Sequence, residues 1–149
     1  MIGAPVVWKG CNVSQELERD LTLRLDYEKL MNLAAGAMKV LPAVIQQYDT
    51  LEVLMVGYVN DEALRLTRET GELVLWSTSR NELWRKGKTS GDTVLVKEIR
   101  VNCEQNSLLL LVEKTRNGIC HSRTSDGATR PGCYYRVLTP SGGLAFLDA

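Results

Sequence analysis

Apolar residues fall along this chain in two rhythms. Between Tyr27 and Met38 they recur at helical spacing (Tyr27, Leu30, Met31, Ala34, Ala35, Met38), with Asp26 placed as N-cap and Pro42 closing a helix that runs to about Val40. That stripe reads as a core-facing side. A second helix is expected after Asn60, through Asp61, Ala63, Leu64 and Thr67, with Gly71 as its stop. A shorter one fits Ser14 to Arg19. Elsewhere the period is two or the apolar run is short, as in strands. Leu21 to Leu25 alternates like an edge strand. Ala43 to Tyr48 and Leu51 to Val59, joined at Asp49-Thr50, read as a hairpin. Leu73 to Ser77 reads as a buried strand, Thr93 to Val101 and Ser107 to Val112 as two more linked by Asn102 to Asn106, and Cys133 to Leu138 as the last. Thr115 to Gly132 is a long polar loop, a type usually functional or mobile. The expected class is α+β: mainly antiparallel strands forming a barrel-like sheet with two or three short helices. Residues 1–24 read as an N-terminal extension and 25–149 as a single domain.

Composition narrows the function. Lys plus Arg and Asp plus Glu are 18 each in 149 residues, so net charge is nil. That argues against nucleic acid and membrane surfaces as partners. No apolar run approaches the roughly 18 residues of a membrane span, and the start lacks the basic region of a signal peptide. The expected compartment is the cytoplasm. Positive charge is instead local, in Trp76 to Gly91, where Arg80, Arg85, Lys86 and Lys88 stand among Ser77, Ser79, Thr89 and Ser90. Cations and hydroxyls of this kind hold phosphate oxygens, while Gly87 and Gly91 permit close backbone approach. Trp76 and Trp84 offer flat faces to a base. A solvated basic loop with two core tryptophans is the plainer reading. Ser79-x-x-Glu82 has capping-box spacing, which predicts one helical turn holding Trp84.

In a reducing compartment the four cysteines (Cys11, Cys103, Cys120, Cys133) point to metal or catalysis before disulfides. Cys11 has no assigned role. Cys103 links two strands, Cys120 lies in the long loop and Cys133 ends it, and the single histidine, His121, adjoins Cys120. Three thiolates can hold zinc with an open fourth position and so acidify water, with a histidine to move protons. Two other readings stand beside it: buried structural cysteines with a surface histidine, and a closed zinc site with His121 as fourth ligand.

Taken together, Trp76-Ser77, Ser79-Arg80, Trp84-x-Lys86-Gly87-x-Thr89-Ser90-Gly91, Lys97-Glu98-Ile99, Cys103, Cys120-His121 and Cys133-Tyr134-Tyr135-Arg136 closely resemble phosphoribosyl-AMP cyclohydrolase. The resemblance spans roughly residues 25–138 and implies the stand-alone form, without the pyrophosphohydrolase domain of some relatives. It implies a homodimer with zinc at the subunit interface, where cysteines of the two chains meet. The implied reaction, in histidine biosynthesis, is hydrolytic opening of the adenine ring of N1-(5-phosphoribosyl)-AMP between N1 and C6. Zinc-bound hydroxide on Cys103, Cys120 and Cys133 would attack C6, and His121 would move the protons. Substrate would be held by Trp76, Ser77, Arg80, Trp84, Lys86, Thr89, Ser90, Gly91, Arg130 and Arg136.

The chain departs from its relatives in places. They commonly carry Asp-Cys-Asp-x-Asp around the first zinc cysteine, thought to bind magnesium. Here Asn102, Glu104 and Asn106 occupy those positions, a poor set for an ion that prefers charged oxygens. Asp92 stands where relatives often have His or Asn. The Ser122 to Gly132 loop is longer, adding Arg123, Asp126 and Arg130, and reads either as a lid with extra phosphate-binding arginines or as a reader of a different substrate. The altered Asn102 to Asn106 stretch motivates one alternative, a paralogous zinc hydrolase acting on another purine-like nucleotide; from another class stands a non-catalytic, zinc-stabilised nucleotide-binding module.

Overall fold

The computed structural model describes residues 17–87, 93–114 and 118–147. They divide into a larger unit, Tyr27–Tyr135, and a smaller one made from the two flanks, up to Asp26 and from Arg136.

In the larger unit, β1 (Leu41–Gln47) and β2 (Val53–Val59) form the expected hairpin, antiparallel with a bulge at Ile45/Gln46. Its turn is wider than Asp49-Thr50, and Leu51 takes a left-handed φ of 63° to close it. β5 (Val94–Val101) and β6 (Leu108–Lys114) pair antiparallel, and β6 lies parallel to β1, giving the order β2-β1-β6-β5. β3 (Val74–Ser77) pairs with β4 (Glu82–Arg85), and the residues just before β3 meet β5, Leu73 N–H donating to the Val94 carbonyl and Val96 N–H to the Gly71 carbonyl, both at 2.8 Å.

The class is α+β with mostly antiparallel strands, but among the described residues no closed barrel forms. No ladder joins β2 to β3. Gly132 and Cys133 lie against β2 instead, with Cys133 N–H donating to the Leu54 carbonyl at 2.6 Å. The core lies between sheet and helix: Ala43 and Ile45, Leu54 and Val59, Leu73 to Leu75, Leu108 and Leu110, with Ile119 from the long loop. Each large aliphatic there contributes about 1.5–3 kcal/mol of burial.

Two helices of the larger unit are α1 (Lys29–Ala35) and α2 (Asp61–Thr70). α2 follows its sequence signals. Asn60 Oδ1 accepts from Ala63 N–H at 2.8 Å, Asp61 and Glu62 suit the N-terminal dipole, and Gly71 ends the helix at φ 73°. Buried Thr67 ties it to β3, its hydroxyl donating to the Val74 carbonyl and accepting the Val74 N–H, both at 3.1 Å.

α1 corrects the sequence reading. It is shorter than Tyr27 to Val40, starts after Glu28 with no side-chain cap, and buries none of its residues. Pro42 lies inside β1. Tyr27, Leu30 and Met31 are 85%, 67% and 66% exposed, so the apolar stripe is not core in the single chain. The Ser79 to Glu82 turn is also different: Asn81 adopts φ 53° and the chain re-enters as β4. Capping-box spacing yields there to a hairpin whose Leu83 and Trp84 suit a strand.

In the smaller unit residues 17–19 are helical, and no strand forms over 21–25. β7 (Arg136–Leu138) is shorter than Cys133 to Leu138 and pairs with β8 (Leu144–Phe146), a hairpin the pattern did not suggest. Gly142, at φ 89°, turns it. Leu144 N–H donates to the Leu21 carbonyl at 2.8 Å.

Candidate active site

The β3–β4 hairpin, β2 and the long loop enclose a cleft of about 580 Å³. Trp76, Ser77, Arg80 and Trp84 line it, as do Cys120, His121 and Cys133. Residues directly opposite in an antiparallel pair share a face. Trp84 therefore goes with buried Leu75, and Trp76 with Leu83. Buried Ser77 anchors the turn: its Oγ lies 3.4 Å from Ser79 Oγ and from both the backbone N and Nε of Arg80. Arg80 Nε also meets Glu82 at 3.3 Å, on the exposed rim. Lys86 places its ammonium 5.2 Å from the Trp84 ring centre. Thr89, Ser90 and Gly91, expected to bind substrate, lie outside the described residues, as do Lys88, Asp92 and Cys11.

The opposite wall is built by the loop folding onto itself. Ile119 N–H donates to the Pro131 carbonyl (3.1 Å), Cys120 N–H to Arg130 (3.3 Å) and Arg130 N–H to Ser122 (3.1 Å), with an isolated bridge at Arg123/Thr129. Thr124 and Asp126 close the tip through a side-chain hydrogen bond. Two glycines allow this approach. A Cβ on Gly118 would stand 1.8 Å from the Arg130 carbonyl oxygen, and one on Gly132 2.9 Å from that of Leu54. Cys120 and Cys133 thereby meet. A hydrogen bond from the Cys133 thiol is the largest of the effects that bring Cys120 from 9.0 to about 6; the Ser122 N–H (3.4 Å from Sγ) and the charges of His121 and Lys86 add to it, while burial opposes. Burial and the Cys133 charge push the exposed Tyr134 up. A pair of thiols with one ionised near neutrality, beside a histidine, is chemically suited to a soft divalent metal.

Cys103 is elsewhere, exposed on the β5–β6 turn. Among the described residues no three His, Cys, Asp or Glu side chains gather closely enough to hold a metal. The single chain thus brings together two of the three expected zinc cysteines. Arg130 is buried, its guanidinium 4.1 Å from the Tyr135 ring centre, and does not line the cleft. Arg136 belongs to the smaller unit, where Nη1 donates to the Leu17 and Asp20 carbonyls, both at 2.7 Å. Lys29 and Tyr58, not anticipated as site residues, line the cleft with the Lys29 ammonium 5.7 Å from the Tyr58 ring centre. Tyr58 is half-buried between buried Gly57 and Val59 in β2, but nothing in the sequence says that it faces a cleft.

A family model for phosphoribosyl-AMP cyclohydrolase matches residues 55–135, which span the cleft walls and both paired thiols. The chain belongs to the phosphoribosyl-AMP cyclohydrolase family. Relatives bearing that name agree. One from Haloarcula marismortui is 49% identical over 106 residues, 66% of this chain and 88% of the relative. One from Bifidobacterium longum is 48% identical over 103 residues, covering 69% and 78%. A third, from Sphingopyxis alaskensis, is 42% identical over 114 residues, covering 76% and 82%. As a phosphoribosyl-AMP cyclohydrolase family member the chain is a hydrolase of histidine biosynthesis. No helix among the described residues is long and apolar enough to cross a membrane.

Proposed function

We propose that the cleft carries zinc-dependent hydrolytic opening of the adenine ring of N1-(5-phosphoribosyl)-AMP between N1 and C6, in a homodimer. One observation supports this above the others: Cys120 and Cys133 meet beside His121, whereas Cys103 is exposed on a turn apart from them. Two thiolates from one chain and Cys103 from a second copy make the three-sulfur set that leaves zinc an open position. When bound, zinc supplies Lewis acidity and brings the pKa of coordinated water from about 16 towards 7.

The chain's own residues do the rest. Arg80 and Lys86, with the Ser77 and Ser79 hydroxyls, offer donors for one phosphoribosyl arm, and Trp76 or Trp84 a face for the base. His121 takes a proton from the attacking water and returns it to N1 as the N1–C6 bond opens, while the water's second proton passes to the exocyclic imine nitrogen, so that C6 is left as a carboxamide. The exposed side chains of Tyr27, Leu30 and Met31 suit coverage by a second copy. Such thiols need a reducing compartment, which supports a cytoplasmic location.

Subunit mixing tests the reading. Cys103→Ser and Cys120→Ser should each abolish turnover of phosphoribosyl-AMP. Mixed under conditions that exchange subunits, they regain about a quarter of wild-type turnover, because half the dimers are hybrids with one intact site. No recovery from dimers shown to have exchanged would refute the shared site. Zinc-loaded wild-type dimer without turnover would refute the substrate and favour a paralogous purine-like nucleotide.

A further inference from the structure

The family resemblance implies a magnesium site on Asn102, Glu104 and Asn106, whose polar atoms are bonded to one another and to the backbone. Asn102 Oδ1 accepts two backbone N–H groups, those of Asn106 and Ser107, both at 2.9 Å. These donors fix which end of the Asn102 amide is oxygen, so Nδ2 must point the other way. It donates to Asn106 Oδ1 at 2.7 Å, and Asn106 Nδ2 donates in turn to Glu104 Oε2 at 3.0 Å. The chain of bonds has one direction, from backbone-anchored Asn102 through Asn106 to a carboxylate that can only accept. Below it, Asn102 N–H donates to the Ser107 carbonyl (3.2 Å) and Gln105 N–H to the Asn102 carbonyl (3.0 Å), with Gln105 at φ 55°. Magnesium wants near-octahedral oxygens, mostly charged. This turn offers one carboxylate, and both amide oxygens already face N–H donors. The residues do not fit the ion.

We infer that the 102–106 turn is a hydrogen-bonded clamp that positions Cys103, with Asn102 as its positioning residue and no magnesium site. The positioning half rests on the reading of Cys103 as a zinc ligand. The direction of the bonds explains why amides are needed. An aspartate at 102 would set a second carboxylate oxygen against Asn106 Oδ1, and one at 106 would set a carboxylate against Glu104. Restoring both acids together should undo the clamp and create the trio of carboxylates that a hard cation prefers.

The experiment uses the zinc-loaded dimer and manganese as a paramagnetic stand-in for magnesium. Titration followed by electron paramagnetic resonance should show no stoichiometric manganese site in the wild type, and one per chain in Asn102→Asp/Asn106→Asp. A stoichiometric wild-type site lost on Glu104→Gln would overturn the inference. In parallel, Asn102→Ala should weaken zinc binding about ten- to a hundredfold and speed amide exchange at Asn106 and Ser107, while β1 and β6 amides stay protected. Unchanged zinc affinity and exchange would refute the clamp. Cys103→Ser separates the two ideas: if it leaves zinc affinity intact, the ligand reading fails, while manganese binding and amide exchange still decide the clamp.

Discussion

Gly118→Ala gives the most direct measure of how the loop assembles the thiol pair. The new methyl would stand 1.8 Å from the Arg130 carbonyl oxygen, 2.2 Å from its carbon and 2.7 Å from Pro131 N. All three are backbone atoms, so no side chain can swing aside, and one strand of the loop must retreat by more than an ångström. Retreat breaks the Ile119–Pro131 and Cys120–Arg130 hydrogen bonds. At about 1 kcal/mol for each bond and about 1–3 kcal/mol for overpacking, the loss is about 3–5 kcal/mol. That is a large share of a domain's total stability. Retreat also carries Cys120 away from Cys133. Urea unfolding of the metal-free protein should show the destabilisation, and chelator competition a fall in zinc affinity. Gly127→Ala is the control, with φ 87° and open space around its Cβ. It should cost about 1–2 kcal/mol from backbone strain alone and leave zinc affinity untouched. If Gly118→Ala matched wild type within about 1 kcal/mol and bound zinc as well, the close approach would not organise the site.

Other consequences can be checked alongside subunit mixing and manganese titration. In metal-free protein, thiolate absorbance should show one group titrating near pH 6, and Cys133→Ala should move it upward by removing the largest lowering influence. Since the folded value lies below the ordinary 9.0, the thiolate's contribution to stability is complete above that pH and lost as pH falls through about 6; an unmoved titration in Cys133→Ala would sink this account. Asn60→Ala should cost about 1 kcal/mol by removing the Ala63 cap bond, with Asn60→Asp nearly neutral. Equal unfolding midpoints for all three proteins would refute that.

Where local chemistry decides structure, the sequence was enough. Asn60 and Gly71 bound α2 because a cap and a left-handed stop act within a turn, and alternation placed β1, β2, β5 and β6. The failures are places where distant contacts decide. Spacing in α1 identified an apolar face but not what covers it, and among the described residues of one chain nothing buries it. Ser79 and Glu82 had the spacing of a cap, yet pairing of Leu75 with Trp84 and Trp76 with Leu83 favoured a strand. Cys103, Cys120 and Cys133 looked equivalent by spacing. Only the fold of the 118–132 loop separates the pair that meets from the cysteine that stands apart. Arg130, expected on a lid, is instead buried with its guanidinium over the Tyr135 ring.

The parallel ladder between Ala43–Gln47 and Leu108–Val112 bears on the order of events during synthesis. The β1–β2 and β3–β4 hairpins can close as soon as they leave the ribosome, being local. The central sheet cannot, because its middle strand β6 is among the last to emerge, so β1 keeps an unpaired edge for much of translation. Cys120 and Cys133 emerge later still. A metal held by them can therefore lock a sheet already formed, but it cannot template one, and metal starvation during growth should yield protein that refolds in vitro and then takes up its ion.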